Sequence, residues 1–228
     1  MTAQLARLLQ LASTTLPVGA FSYSQGLEWA VEAGIVRDEA TARDWLRTTL
    51  HRGPGSWDAT WIAHLMAAWQ LEDAPGIRSL GERFLASRET RELYLESRQM
   101  GRSMLAVARD DPTLPSATLT LMLELDAQDA LCYPVAWTAV AAHRGLACGD
   151  VIVAYLWSWL ESATLAAMKT VPLGQQAGQR LLGELGVDLE MLASAAAARP
   201  LDACSNFLPG LALASMKHET QYSRLFRS

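Results

Sequence analysis

The chain has 228 residues and a formal net charge of −5. Leu (36) and Ala (37) make up about a third of it, while Ile (4) and Val (10) are scarce, a bias toward helix and away from strand. That excludes an all-β fold, disfavours a parallel α/β sheet, and argues against nucleic acid as a main partner, because phosphate binding needs a concentrated basic face.

In chain order, Leu5, Leu8, Leu9 and Ala12 fall at i, i+3, i+4, i+7, the stripe of an amphipathic helix. Pro17 and Gly19 interrupt it. Ser22 and Gln25 have capping-box spacing for a second helix that stops near Gly34. Asp38 opens a third, carrying Trp45, Leu46 and Leu50 and ended by Gly53-Pro54-Gly55. Ser56 caps the next, with Trp57, Trp61, Leu65 and Ala68 in register, and Ala74-Pro75-Gly76 reads as a turn. A long polar-faced helix covers Ser87 to Arg109, ended by Asp110-Asp111-Pro112.

Between Thr113 and Met168 the only basic residue is Arg144. Asp150 can cap a helix running to Val171 with apolar residues on every face, which predicts a central, buried element whose Trp157 and Trp159 are core. Its small-residue stripe, Ser158, Ser162 and Ala166, reads as close helix packing within one subunit, with a homodimer seam as the alternative. Pro172 stops it. Leu181, Leu182 and Leu185 mark one further helix and Asp188 to Ala198 another, and Arg199-Pro200 and Pro209-Gly210 frame an irregular stretch. The expectation is one compact all-α domain over 1–228, of eight to ten helices, without repeats or linkers.

Little in this pattern is catalytic. The four histidines, at 51, 64, 143 and 218, lie too far from one another and from the cysteines in sequence for a local metal pair. His218-Glu219 starts an HExxH motif that fails at Tyr222. A P-loop needs Gly-Lys, and both lysines follow methionines. No GxSxG nucleophile elbow occurs. Asp110-Asp111 and Asp126/Asp129 read as solvated surface acids. Cys132, Cys148 and Cys204 form no CxxC pair, and their odd number fits a reducing cytoplasm. No basic leader with an apolar core stands at the start, and the strongly apolar stretch Val151–Leu160 is too short to span a bilayer. An enzyme would need convergent titratable groups, and a DNA regulator a basic recognition helix; the sequence offers neither.

Three segments are richer than connectors need to be. Leu16 to Glu28 carries Phe21 and Tyr23 in a Ser/Gly loop. Lys169 to Gln176 places one of two lysines at a helix C-terminal end, where it also complements the helix dipole. The end of the sequence, His218 to Ser228, interleaves Tyr222, Leu225 and Phe226 with Arg224 and Arg227, residue types enriched at interfaces. Tyr222, Leu225 and Phe226 sit at i, i+3, i+4 and would form one apolar face if helical, a face too small to fold alone. Residues 215–228 are thus expected to be a separable, partner-docking tail.

With LPVGAFSYSQGLEWAVEAG near the start, RETREL at 88–93, KTVPLGQQAGQ at 169–179 and HETQYSRLFRS at the end, the chain resembles the urease accessory protein UreF family over essentially its whole length. The resemblance implies an all-helical homodimer that is not an enzyme. Such proteins act as a scaffold with UreD (also called UreH) and the GTPase UreG, gating the GTPase while nickel is inserted into apo-urease. GTP would be bound by the partner, nickel would be transient cargo with His218 and Cys204 as weak candidate ligands, and neither nucleic acid nor membrane would be involved. It places partner contacts on Pro17, Gly19, Phe21, Tyr23, Lys169, Gln175, His218, Tyr222, Arg224, Leu225 and Phe226, with Lys169 facing the GTPase and Arg224 in the segment that docks UreD. The family often has Tyr where this chain has Phe21, so only a packing role carries over there.

Overall fold

A computed structural model describes residues 3–228, and among them there is no strand. Ten α-helices of ten residues or more, as expected, are supplemented by two shorter ones. The first half runs α1 (Ala3–Ala12), α2 (Leu27–Glu32), α3 (Glu39–Arg52), α4 (Trp57–Gln70), α5 (Ala74–Ala86) and α6 (Arg91–Arg109). The second runs α7 (Ser116–Ala127), α8 (Tyr133–His143), α9 (Cys148–Thr170), α10 (Gln175–Gly186), α11 (Leu189–Ala197) and α12 (Pro209–His218), with 3-10 turns at Ala20–Ser22 and Leu201–Ala203.

Local chemistry explains most boundaries. Asp38 Oδ1 accepts from the Thr41 amide at 2.8 Å and Thr41 Oγ1 accepts from the Asp38 amide at 3.1 Å, a reciprocal capping box. Ser22 and Gln25 form no such box. Gln25 and Gly26 both take positive φ (52° and 81°) and turn the chain into α2. Ala74-Pro75-Gly76 is not a turn but the first helical turn of α5, where a missing proline N–H costs nothing, and Pro209-Gly210 opens α12 in the same way at the end of the irregular stretch. The Asp73 side chain caps the first of these. Ser56 sits at the start of α4 without capping it. Its carbonyl accepts from Arg199 Nη1 at 2.9 Å instead.

Two helices share the centre. Every residue of α8 from Tyr133 to Ala141 is buried, and Trp137 stacks edge-on against Tyr133 and Tyr155 at centroid distances of 5.6 Å. The 23-residue α9 packs against α1, α2, α3, α4, α10 and α11. By length and composition it could cross a bilayer, yet Leu156, Leu160 and Ala167 are fully enclosed by other helices, as in a core helix. One side of α9 does reach solvent, and Trp157 is 37% exposed rather than core. The expected stripe of α1 is likewise split. Ala12 is buried, while Leu5 and Leu9 face outward. Gly26 brings α2 so close to α12 that a Cβ there would stand 2.8 Å from the Ser215 amide nitrogen.

Candidate functional site

The polar interior lies where α2, α6, α9 and α12 meet the last residues of the sequence. The helix α6 buries Glu92, Glu96, Ser97 and Arg98, an unusual polar load for one helix. Arg98 is paired outward with Asp126 and Asp129 of the α7–α8 junction, which joins those acids to an ionic cluster with Arg102 rather than leaving them merely solvated. The two glutamates turn toward the tail.

From α12, His218 is fully buried. Its Nδ1 stands 2.8 Å from Glu92 Oε2 and its Nε2 3.1 Å from Glu28 Oε2. A carboxylate oxygen accepts and cannot donate, so both contacts are hydrogen bonds when the ring carries a proton on each nitrogen. Arg224 Nη1 donates to Glu92 Oε1 at 2.9 Å. Glu28 also accepts from the backbone amides of Leu225 (2.6 Å) and Phe226 (3.0 Å). The tail then runs beside the loop before α2. Arg227 N donates to Ser22 O at 2.8 Å, and Ser24 N, Gln25 N and Ser24 Oγ all donate to Ser228 O at 2.6–3.0 Å. Buried Thr90 and Ser215 share a hydroxyl–hydroxyl bond of 2.8 Å beneath this seam.

Glu96 completes the arrangement. Its Oε1 accepts from Gln25 Nε2 at 2.6 Å and its Oε2 meets Ser228 Oγ at 2.8 Å. Burial pushes its carboxyl up to about 7, only partly offset by those two hydrogen bonds. The Tyr23 hydroxyl is raised first by burial and then by the nearby Glu96 charge. Ser158 and Ser162, read from the sequence as a close-packing stripe, instead line an internal space of about 70 Å³ with Glu96, Ser97 and Tyr133. Asp58 and Arg88 wall it from the other side, 3.5 Å apart.

The structure sorts the candidates named from the sequence. Tyr23, His218 and Phe226 are internal, and Phe226 lies under the Lys169 ammonium, 5.6 Å from the ring centroid. Pro17, Phe21, Lys169, Gln175, Tyr222, Arg224 and Leu225 are exposed, and Gly19 is half-buried at φ 77°. Gln175 opens α10 and shares no hydrogen bond with the tail. The expected single face of Tyr222, Leu225 and Phe226 does not form. Tyr222 and Leu225 point to solvent, Phe226 points inward, and residues beyond 218 are not helical. Nor are residues 215–228 separable, since Ser215, His218, Phe226 and Ser228 are all buried in the body. The tail docks without helix because the 22–28 segment meets its backbone directly: Ser22 O and the Glu28 carboxylate accept from its amides, and the Ser24 and Gln25 amides donate to Ser228 O.

As metal ligands, His218 and Cys204 share no partner. Both His218 nitrogens are engaged, and the Cys204 thiol donates to Leu201 O while burial raises its pKa above the ordinary value. Among the described residues no group of three His, Cys, Asp or Glu side chains is placed to hold a metal ion. The remaining histidines have structural partners. His51 meets Asp188 and His64 the Arg199 carbonyl, while His143 meets the Thr113 hydroxyl, which donates to Asp111.

Sequence reasoning missed Ser24, Gln25, Glu28, Glu92, Glu96 and Ser228. Gln25, Glu28 and Glu92 all lie within the two unusual motifs 16–28 and 88–93. The acids inside those motifs were the available signal.

Comparison with known proteins agrees with this architecture. The UreF family model matches residues 36–186, so neither the 16–28 loop nor the tail falls inside it. Full-length relatives cover both. The urease accessory protein UreF of Dechloromonas aromatica (strain RCB) is 51% identical over 227 residues, 99% of this chain and 98% of that protein. Its counterpart from Azoarcus sp. (strain BH72) is also 51% identical, over 98% of this chain and 95% of that protein. That of Methylibium petroleiphilum is 46% identical, over 99% and 94%. With the match reaching from α1 through the docked tail, the chain belongs to the UreF family of urease accessory proteins.

Proposed function

We propose that this protein is a non-enzymatic scaffold that acts with UreD (UreH) and the GTPase UreG to assemble the nickel centre of apo-urease, working as a homodimer in the cytoplasm. The observation that carries the reading is the outward side of the docked tail. Tyr222, Arg224, Leu225 and Arg227 face solvent, continuous with Phe21 through the Ser22–Arg227 pairing and with Lys169 through Phe226. On an acidic chain this is a basic, partly apolar ridge, and aromatic and Arg side chains presented in that way suit a protein partner. UreD is the occupant proposed for the ridge. Lys169, at its edge, is proposed to steer the GTPase, as a rim charge does. Nickel and GTP belong to the assembly rather than to this chain, whose sequence has no phosphate-binding loop.

The test separates the ridge from the seam beneath it. Deleting residues 215–228 removes buried groups and would confuse folding with binding. Arg224→Ala has the same defect, because it strips Glu92 of a partner. Tyr222→Ala combined with Leu225→Ser touches only exposed side chains. Co-purification with UreD and UreG should be lost in that variant while its melting curve stays that of the parent. Undiminished capture of UreD would place the interface elsewhere. GTP turnover in the assembled complex should change in Lys169→Ala; unchanged turnover and urease activation would leave Lys169 a helix-end cation.

A further inference from the structure

The three carboxylates of the seam are not equivalent. Glu28 and Glu92 share His218, and Glu92 has Arg224 as well. Among the described residues Glu96 forms no ion pair. Facing it are Asp58 from α4 and Arg88 from the α5–α6 connection, which pair with each other, and the Tyr23 phenol before α2, which lies beside Arg227. The Gln25 amide, the Trp159 indole behind it and the Ser228 hydroxyl complete its surroundings.

Hydrogen-bond polarity fixes where a proton on Glu96 would sit. Trp159 Nε1 can only donate, and it donates to Gln25 Oε1 at 2.8 Å. That orients the Gln25 amide so that its Nε2 donates to Glu96 Oε1 at 2.6 Å. Oε1 is therefore an acceptor. The remaining oxygen, Oε2, faces Ser228 Oγ at 2.8 Å, and a hydroxyl accepts as readily as it donates. A buried carboxyl without a cation favours its neutral form.

We propose that Glu96 fastens the tail as a neutral acid, donating from Oε2 to Ser228 Oγ, and that loss of this proton to solvent loosens residues 224–228 from the body. An ionised Glu96 would sit desolvated with no cation paired to it, a cost that lifting residues 224–228 relieves. The raised carboxyl fixes the sign. Glu96 binds its proton more tightly when the tail is docked, so its contribution to docking is fully present below the ordinary carboxylate range and is lost as pH rises toward about 7. His218, between Glu28 and Glu92, is a second titratable group on the same seam, so the test must separate the two.

The experiment uses the full chain alone, so its outcome is independent of the UreD reading. Hydrogen exchange of the Leu225, Phe226 and Arg227 amides is followed from pH 5 to pH 8, corrected for intrinsic exchange, in the parent and in Glu96→Gln. Gln keeps an acceptor for Gln25 and a donor for Ser228 but cannot ionise. Protection in the parent should fall at least tenfold across that range, and in Glu96→Gln by less than twofold. An equal fall in both would assign the effect to His218 and overturn the proposal, as would a pH-independent parent. Should Glu96→Gln fail to fold, carboxyl carbon NMR of the parent decides. A Glu96 midpoint near 7 sustains the proposal, and one in the ordinary carboxylate range ends it.

Discussion

The interior around α8 and the seam beneath the tail are held by opposite means. Around α8 the packing is apolar and aromatic, with Trp137, Tyr133 and Tyr155 in edge-on contact. Along the seam Glu28, Glu92, Glu96, His218 and Ser228 are satisfied one by one. The difference shows in how each region fails. A close-packed core accepts volume-conserving swaps with modest loss. A hydrogen-bonded charge cluster accepts almost no single deletion, because every removal strands a partner away from water.

The largest effect expected is at the centre of the apolar region. Trp137→Ala should destabilise the protein by about 3–5 kcal/mol, the range for deleting a large buried aromatic, read as a shift in urea midpoint at constant slope. Glu92→Ala removes no apolar core, yet should cost about 3 kcal/mol, because it leaves buried His218 without its Nδ1 acceptor. A loss under 1 kcal/mol there would collapse the distinction between the two regions. Removing residues 225–228 exposes the Phe226 site and frees the Glu28 carboxylate, for a loss of about 2 kcal/mol from the aromatic burial. A melt unchanged by that truncation would mean the tail is not part of the fold. The smallest effect is Tyr222→Ala. Its side chain touches nothing, so stability should stay within about 0.5 kcal/mol, measured beside the co-purification described above.

How much of this was legible depended on whether the governing interaction was local. Asp38 with Thr41, Gly53-Pro54-Gly55 and Pro172 act on their own neighbours, and the boundaries they set could be read directly. Pro75 was misread as a turn because the same residue that breaks a helix interior fits its first turn. The tail was misread through its period. Helical spacing groups Tyr222, Leu225 and Phe226, but burial alternates from Leu225 to Ser228 as in an extended chain, with Phe226 and Ser228 inward. The seam was hidden for a stronger reason. A glutamate reads as solvated surface until its partner is known, and Glu28 finds His218 across 190 positions. No spacing rule reaches that far.

The close approach of Gly26 to Ser215 and the grip of Glu28 on the tail also set a schedule. The amide of Leu225 lies 197 positions beyond the carboxylate that accepts it. At roughly 5–20 residues per second of synthesis, Glu28 is synthesised roughly ten to forty seconds before its partner. Through that interval the α2 glutamate and the two on α6 stay hydrated and unpaired, and α6 cannot bury its polar face for want of α12. The first half of the molecule can condense around Trp61 and Phe84, but this flank stays open until translation is nearly complete. A chain stalled or cleaved short of α12 therefore presents three uncompensated acids on an incompletely closed surface.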